Sequence, residues 1–198
     1  MKEMFDLQSM LERERACTPA RQWASGRSLD EASWHECERG DWMVWFCARA
    51  GVERALVVRA AAECAALGVT ALAPDSTEMS KIIEVVRDRT VGRASEEDAR
   101  RAADFVAGDR DDAAASVALV GMALTGSEQL RHLRRGLSAL AAAASQIPDV
   151  SLRPLVPASP IAFDPSVDPF KQMAQVVRAT VPWSEVERVL SALSVRAA

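Results

Sequence analysis

The chain has 198 residues, 49% hydrophobic and 26% charged, with 9 Gly and 9 Pro, which is enough apolar length for a sizeable core and too few turn residues for a fibrous or disordered protein. With 24 Lys and Arg against 28 Asp and Glu, its net charge of −4 argues against bulk attraction to nucleic-acid phosphates as the main activity and favours a basic partner. The N-terminus, from Met1 through Lys2 to Asp6 and on to Arg15, has no apolar core and no small-residue cleavage site, so a secretory signal is not expected and a cytoplasmic location is. The longest apolar run, Ala113 to Thr125, falls short of the roughly 18–20 residues of a membrane span.

Helix start and stop signals then recur along the chain. Thr18 before Pro19 predicts an N-cap and a short helix bearing Trp23, which Gly26 ends. Ser28 and Glu31 have the capping-box spacing and predict a helix running to about Arg39. Gly40 stands where a left-handed C-cap is wanted, Asp41 is placed to cap the next helix from Trp42 to Ala50, and Gly51 stops it. From Val52, the positions Leu56, Val57, Ala60, Ala61, Cys64 and Leu67 form one apolar stripe, with Gly68 as terminator. Asp75 is the expected cap of a helix whose inward face is Met79, Ile82, Ile83 and Val86, and Gly92 closes it.

Ser95 precedes Glu96, Glu97 and Asp98, a first turn that suits the positive end of a helix dipole. After the Gly108–Asp109 break come two Ala-rich helices, about Asp111 to Leu124 and, capped by Ser127, about Glu128 to Gln146. Methyl side chains let axes approach closely, so this pair is expected to be central and antiparallel. Six prolines, at 148, 154, 157, 160, 165 and 169, exclude regular helix or central strand over 148–169. Leu152, Leu155, Val156, Ile161 and Phe163 in that loop predict that it lies across the helices. Asp168–Pro169 restarts helix to about Thr180, and Pro182 opens a last one with Trp183, Val186 and Leu190. The expectation is an all-α protein, one domain over residues 1–198 with about eight helices and no sheet.

The run from Ser28 to Ala32, then Trp34, Cys37 and the stretch Arg39, Gly40, Asp41, Trp42, Met43, Val44, Trp45, resembles the N-terminal signature of a bacterial family of immunity proteins described as immunity-five-like. Cys17 and Trp23 upstream, the Gly51–Val52 step and Cys64 are similar to that family too, as is the C-terminal Val181, Pro182, Trp183 before a short amphipathic helix. The resemblance covers residues 17–67 and 180–190. It departs at the extra Ser33 before Trp34 and in the proline-rich segment. It implies an all-helical protein that neutralises a toxin, delivered by kin or self-made, by stoichiometric binding. A helical regulator or scaffold without a toxin, and a small-molecule binder with a pocket between the Trp-bearing helices, are the alternative readings.

The remaining residues are weighed by geometry. Trp34, Trp42 and Trp45 have the composition of a ligand box, but Trp42 and Trp45, three apart on one helix, are expected to fill the core instead. Asp41 reads as a cap before it reads as a partner contact. His35 and Cys37, two apart on a helix, point to different sides, which argues against both a metal site and a Cys–His nucleophile. Cys17, Cys37, Cys47 and Cys64 share no CxxC spacing and are expected as reduced core thiols. No hydrolase elbow, phosphate loop or dinucleotide fingerprint occurs, so neither catalysis nor a cofactor is expected. Arg131, Arg134 and Arg135 read as a solvated face rather than a nucleic-acid site. Glu96, Glu97 and Asp98, with Asp104, Asp109, Asp111 and Asp112, are the candidate partner-binding carboxylates, able to steer the chain onto a basic cleft. The proline-rich loop is the other candidate face.

Overall fold

A computed structural model describes residues 7–104, 113–125, 129–148 and 161–197, and among these it is all-α with no strand. The described residues form eleven helices rather than about eight. They are α1 (Leu7–Arg13), α2 (Thr18–Ala24), α3 (Glu31–Glu36), α4 (Gly40–Ala50), α5 (Arg54–Leu72), α6 (Thr77–Thr90), α7 (Glu96–Asp104), α8 (Ala113–Thr125), α9 (Gln129–Ser145), α10 (Pro169–Thr180) and α11 (Trp183–Ala197). The cap and stop signals taken in chain order mark ten of these, more than the total of about eight; the one they do not mark is α1, which buries Leu7, Met10 and Leu11 at helical spacing.

Several terminators act as read. Gly51 ends α4 at φ 88, with the Val52 N–H returning 3.0 Å to the Cys47 carbonyl. This left-handed turn favours glycine. Gly26 and Gly92 also have positive φ. Asp168 caps α10, accepting from the Phe170 and Lys171 N–H groups at 2.9 and 3.1 Å, with Pro169 in the first turn.

Other caps are displaced by one or two residues. At α3 the box is Asp30 with Ser33, not Ser28 with Glu31: the Ser33 N–H donates to Asp30 Oδ1 at 2.8 Å and the Asp30 N–H to Ser33 Oγ at 3.0 Å. The helix therefore starts at Glu31 and ends at Glu36, short of Arg39. Ser76, not Asp75, caps α6 by accepting from the Met79 N–H at 3.3 Å. Gly40 is no left-handed cap. It opens α4 and is buried, because a Cβ there would lie 2.5 Å from Met173 Cβ on α10.

Gly68 likewise fails to stop α5, which continues to Leu72; the position is glycine where a Cβ would meet Val120 of α8 at 2.6 Å. Glycine here lets two helices touch. The central element is thus α5, against which α4, α6, α8, α9 and α10 all pack, and which is buried on most of its circumference rather than along one stripe. It is also the one described helix long and apolar enough, by length and composition, to cross a membrane, a longer candidate than 113–125; most of it is buried against its neighbours. The Ala-rich α8 and α9 pack against each other more extensively than any other pair of described helices, and both also pack on α5.

Of the proline-rich loop, residues 149–160 lie outside the described residues. Residues 161–168 do lie on the helices, with Ile161 and Phe163 packed against the core. The Gln172 side chain pins this stretch. It accepts from the Asp164 N–H at 2.8 Å and donates to the Asp164 and Val167 carbonyls at 2.7 and 2.9 Å.

Candidate functional site

The two distant stretches that make up the tryptophan signature meet. Capped by Asp30, α3 carries Trp34, 3% exposed, whose ring centroid lies 6.5 Å from that of Trp183 at the start of α11. The break between α3 and α4 leaves carbonyls at the end of α3 that need donors. Arg178 of α10 supplies one, its guanidinium donating to the Cys37 carbonyl at 2.8 Å. Burial holds the Arg178 pKa below its ordinary value. Lys171 of α10 pairs with Glu38 in the same connection. With Gly40 seated on Met173 and Ala174, α10 is clamped to the α3–α4 corner by sterics and charge together.

Asp41 does not cap α4, whose N-cap is Arg39. It lies in the first turn, buried, and takes the Arg39 guanidinium in a fork, Nε to Oδ1 at 2.9 Å and Nη2 to Oδ2 at 2.6 Å. The Arg39 guanidinium carbon in turn lies 4.6 Å from the Trp42 ring centroid and 4.1 Å from that of Phe170. The bond to Asp41 raises the Arg39 pKa. The pair is an electrostatic keystone between α4 and α10, a role that the spacing of Asp41 alone did not show.

Trp42 and Trp45 are half-buried, so they pack against the core without lying wholly inside it. Together with Trp23 of α2, Trp34, Leu7 and Leu11 of α1, and Ala115 and Ala118 of α8, they line a groove of about 570 Å³. The Trp23 and Trp42 rings are 6.5 Å apart and tilted by 60°, and Arg27 lies 5.0 Å over Trp23. At the groove's edge stand Glu14, Arg15, Cys17 and Arg49. Arg15 closes α1 in the left-handed region at φ 57. A second cavity of about 380 Å³ lies between α5, α6, α10 and residues 161–163. Its polar wall is Glu63, engaged by both Arg59 and Arg87.

The acidic run occupies the start of α7. Ser95 and Asp98 form a capping box, with the Asp98 N–H donating to Ser95 Oγ at 3.1 Å and the Ser95 N–H to Asp98 Oδ2 at 3.0 Å. These bonds hold the Asp98 pKa below its ordinary value. Glu96 and Glu97 are exposed, but Arg100 pairs with both and Arg101 reaches Glu97 at 3.3 Å. The run is therefore a self-paired surface, weaker in field than its carboxylates alone. Asp104 ends α7, and Asp109, Asp111 and Asp112 lie outside the described residues. None of the described carboxylates lines the aromatic groove except Glu14 and Asp41.

All four cysteines are free, but only three are core thiols. Cys17 is exposed, because it precedes α2 rather than facing inward from it. Burial pushes the thiols of Cys37, Cys47 and Cys64 up. His35 is exposed while Cys37 is buried, and no group of three His, Cys, Asp or Glu among the described residues is placed to hold a metal ion. Arg131, Arg134 and Arg135 are exposed on α9. Compared with protein-family models, with curated proteins and with solved structures, the chain matches none of them.

Proposed function

We propose that this chain is an immunity protein that binds a cognate bacterial toxin in the cytoplasm and neutralises it by one-to-one inhibition rather than by turnover. The observation that carries the reading is the convergence of its two signature stretches. Residues 34–45 and 181–183, whose types and order resemble an immunity family, meet through Trp34 and Trp183, while Gly40 and the Cys37 carbonyl seat the first stretch on Met173, Ala174 and Arg178 of α10. Trp34, Cys37, Gly40, Asp41, Trp42, Trp45, Pro182 and Trp183 are the residues of that scaffold. They hold the fold and leave other faces free to vary with the partner.

The proposed contact residues are Glu96, Glu97 and Asp98 at the exposed start of α7, with Asp104, Asp109, Asp111 and Asp112, which follow them in sequence. Carboxylates steer the chain toward a basic cleft of a nuclease-like toxin. Arg100 and Arg101 temper that field, so the affinity has to come from packing over roughly 800 Å² per partner. The test is to recover the tagged protein from its own host under mild salt and identify whatever accompanies it at equal stoichiometry. A toxin-domain protein whose toxicity this chain relieves, with relief weakened about tenfold or more by E96K/E97K/D98K, is the expected result. Recovery of a regulatory assembly alone would overturn the reading in favour of a scaffold.

A further inference from the structure

The aromatic groove is a second place where this chain can act, and it does not rest on the toxin reading. Its volume of about 570 Å³ falls in the range of small-molecule sites. Its walls are mostly indole and aliphatic carbon, from Trp23, Trp42 and Trp45 among others. Water in such a groove finds few hydrogen-bond partners, so a flat apolar body that displaces it is bound favourably.

The charge of the rim narrows the class. Three arginines, Arg15, Arg39 and Arg49, stand against two carboxylates, Glu14 and Asp41. Asp41 is consumed by its fork with Arg39. Glu14 is shared between Arg13 at 3.2 Å and Arg49 at 3.9 Å. The mouth therefore carries an excess positive charge on a chain whose net charge is −4. Arg15 is held there by a tight turn in which the Arg15 N–H returns to the Glu12 carbonyl at 3.0 Å and the Ala16 N–H to the Leu11 carbonyl at 2.8 Å. Glycine would fit that left-handed turn with less strain, yet it would place no guanidinium at the groove.

We infer that the groove binds a small organic anion with a flat apolar body, of the aromatic carboxylate or sulfonate class, its rings between the tryptophans and its charge on Arg15 and Arg49. Cys17 gives a reporter inside the site. It lines the groove and is exposed, whereas Cys37, Cys47 and Cys64 are buried, so iodoacetamide on the folded chain reads Cys17.

The probe is 8-anilinonaphthalene-1-sulfonate, with N-phenyl-1-naphthylamine as the same ring system lacking the sulfonate. On the folded full chain the sulfonate is expected to bind one to one, quench tryptophan emission by energy transfer and slow alkylation of Cys17. R15Q/R49Q is expected to weaken the sulfonate about tenfold, leave the neutral analogue unchanged and retain a cooperative melt. Ala115→Phe, which places a ring at a lining position on α8, is expected to weaken both probes. Non-saturable binding, no protection of Cys17, or equal weakening of both probes by R15Q/R49Q would overturn the inference. So would a concentration-dependent dimer that buries Cys17 and excludes the probe, which would assign the groove to a second copy of the chain.

Discussion

Replacing Gly40 with alanine tests the corner on which the fold turns. A Cβ added there would lie 2.5 Å from Met173 Cβ, 2.6 Å from the Met173 carbonyl carbon and 2.7 Å from the Ala174 nitrogen. Carbon atoms rest about 3.5–4.0 Å apart, so α4 and α10 must separate by roughly 1 Å. None of the three atoms is the far end of a flexible side chain, and truncating Met173 to alanine removes none of them. Overpacking of this kind costs about 1–3 kcal/mol, while the better helix propensity of alanine returns at most about 1 kcal/mol and less at the first helical position. The expected net loss is about 2 kcal/mol, or roughly 4–8 °C in Tm for a chain of this size. Urea and thermal unfolding followed by tryptophan emission and circular dichroism read it. Hydrogen exchange in α10 should quicken at the same time, since Lys171 and Arg178 lean on the same corner. Gly51→Ala is the control. Nothing lies within 4 Å of its added Cβ and φ is 88, so its cost of about 1 kcal/mol comes from the left-handed backbone alone. A G40A protein as stable as the parent, with unchanged exchange in α10, would refute the close approach as the reason for glycine.

Ser76→Ala should cost about 1 kcal/mol in urea unfolding and Asp75→Ala a few tenths at most, since the Met79 N–H is satisfied by Ser76; equal losses would return the cap to Asp75. Arg15→Gly should stabilise the chain by about 1 kcal/mol by relieving φ 57, while weakening the aromatic sulfonate; a destabilised variant would contradict the strained turn. The chain should lose stability in alkali, because burial raises the thiols of Cys47 and Cys64. Below the unfolded thiol pKa of about 8.5 both states hold these protons; above it the unfolded chain releases them first, so stability falls by up to about 1.4 kcal/mol per pH unit for each thiol. Comparing urea midpoints near neutrality and about two units above it measures this slope, which C47A/C64A should flatten; a slope unchanged in that variant would assign alkaline loss to other groups. Asp41→Asn should release Arg39 from its fork and cost roughly 1 kcal/mol, discounted because the Arg39 side chain is 38% exposed; a neutral result at low salt would show that the stacking on Trp42 and Phe170 suffices.

What the sequence determines by itself is what local physics can decide. A side-chain oxygen before a helical run, a proline in the first turn and a glycine beyond the last each act within a few residues, so the α10 cap at Asp168 and the stop at Gly51 are legible without tertiary knowledge. The inward face of α6, Met79, Ile82, Ile83 and Val86, is legible for the same reason. Where two polar residues compete for one cap, as Asp75 with Ser76 and Ser28 with Asp30, a shift of one or two residues depends on how neighbouring helices fix the entering chain.

What only the tertiary structure decides is what glycine and aspartate do at long range. Gly40 and Gly68 carry the composition of helix terminators, yet each lies where another helix needs the space of a missing methyl, and no local pattern contains the partner Met173 or Val120. Asp41 looks like a cap, but its carboxylate is taken by Arg39, whose guanidinium lies over Phe170 of α10. The aromatic groove is assembled from five helices, and Arg15 and Cys17 reach its rim only because the turn after α1 faces α4. Capping is a contest among neighbours in the chain; packing is a contest among neighbours in space, and burial of apolar surface is large enough to overrule the local preference wherever the two disagree.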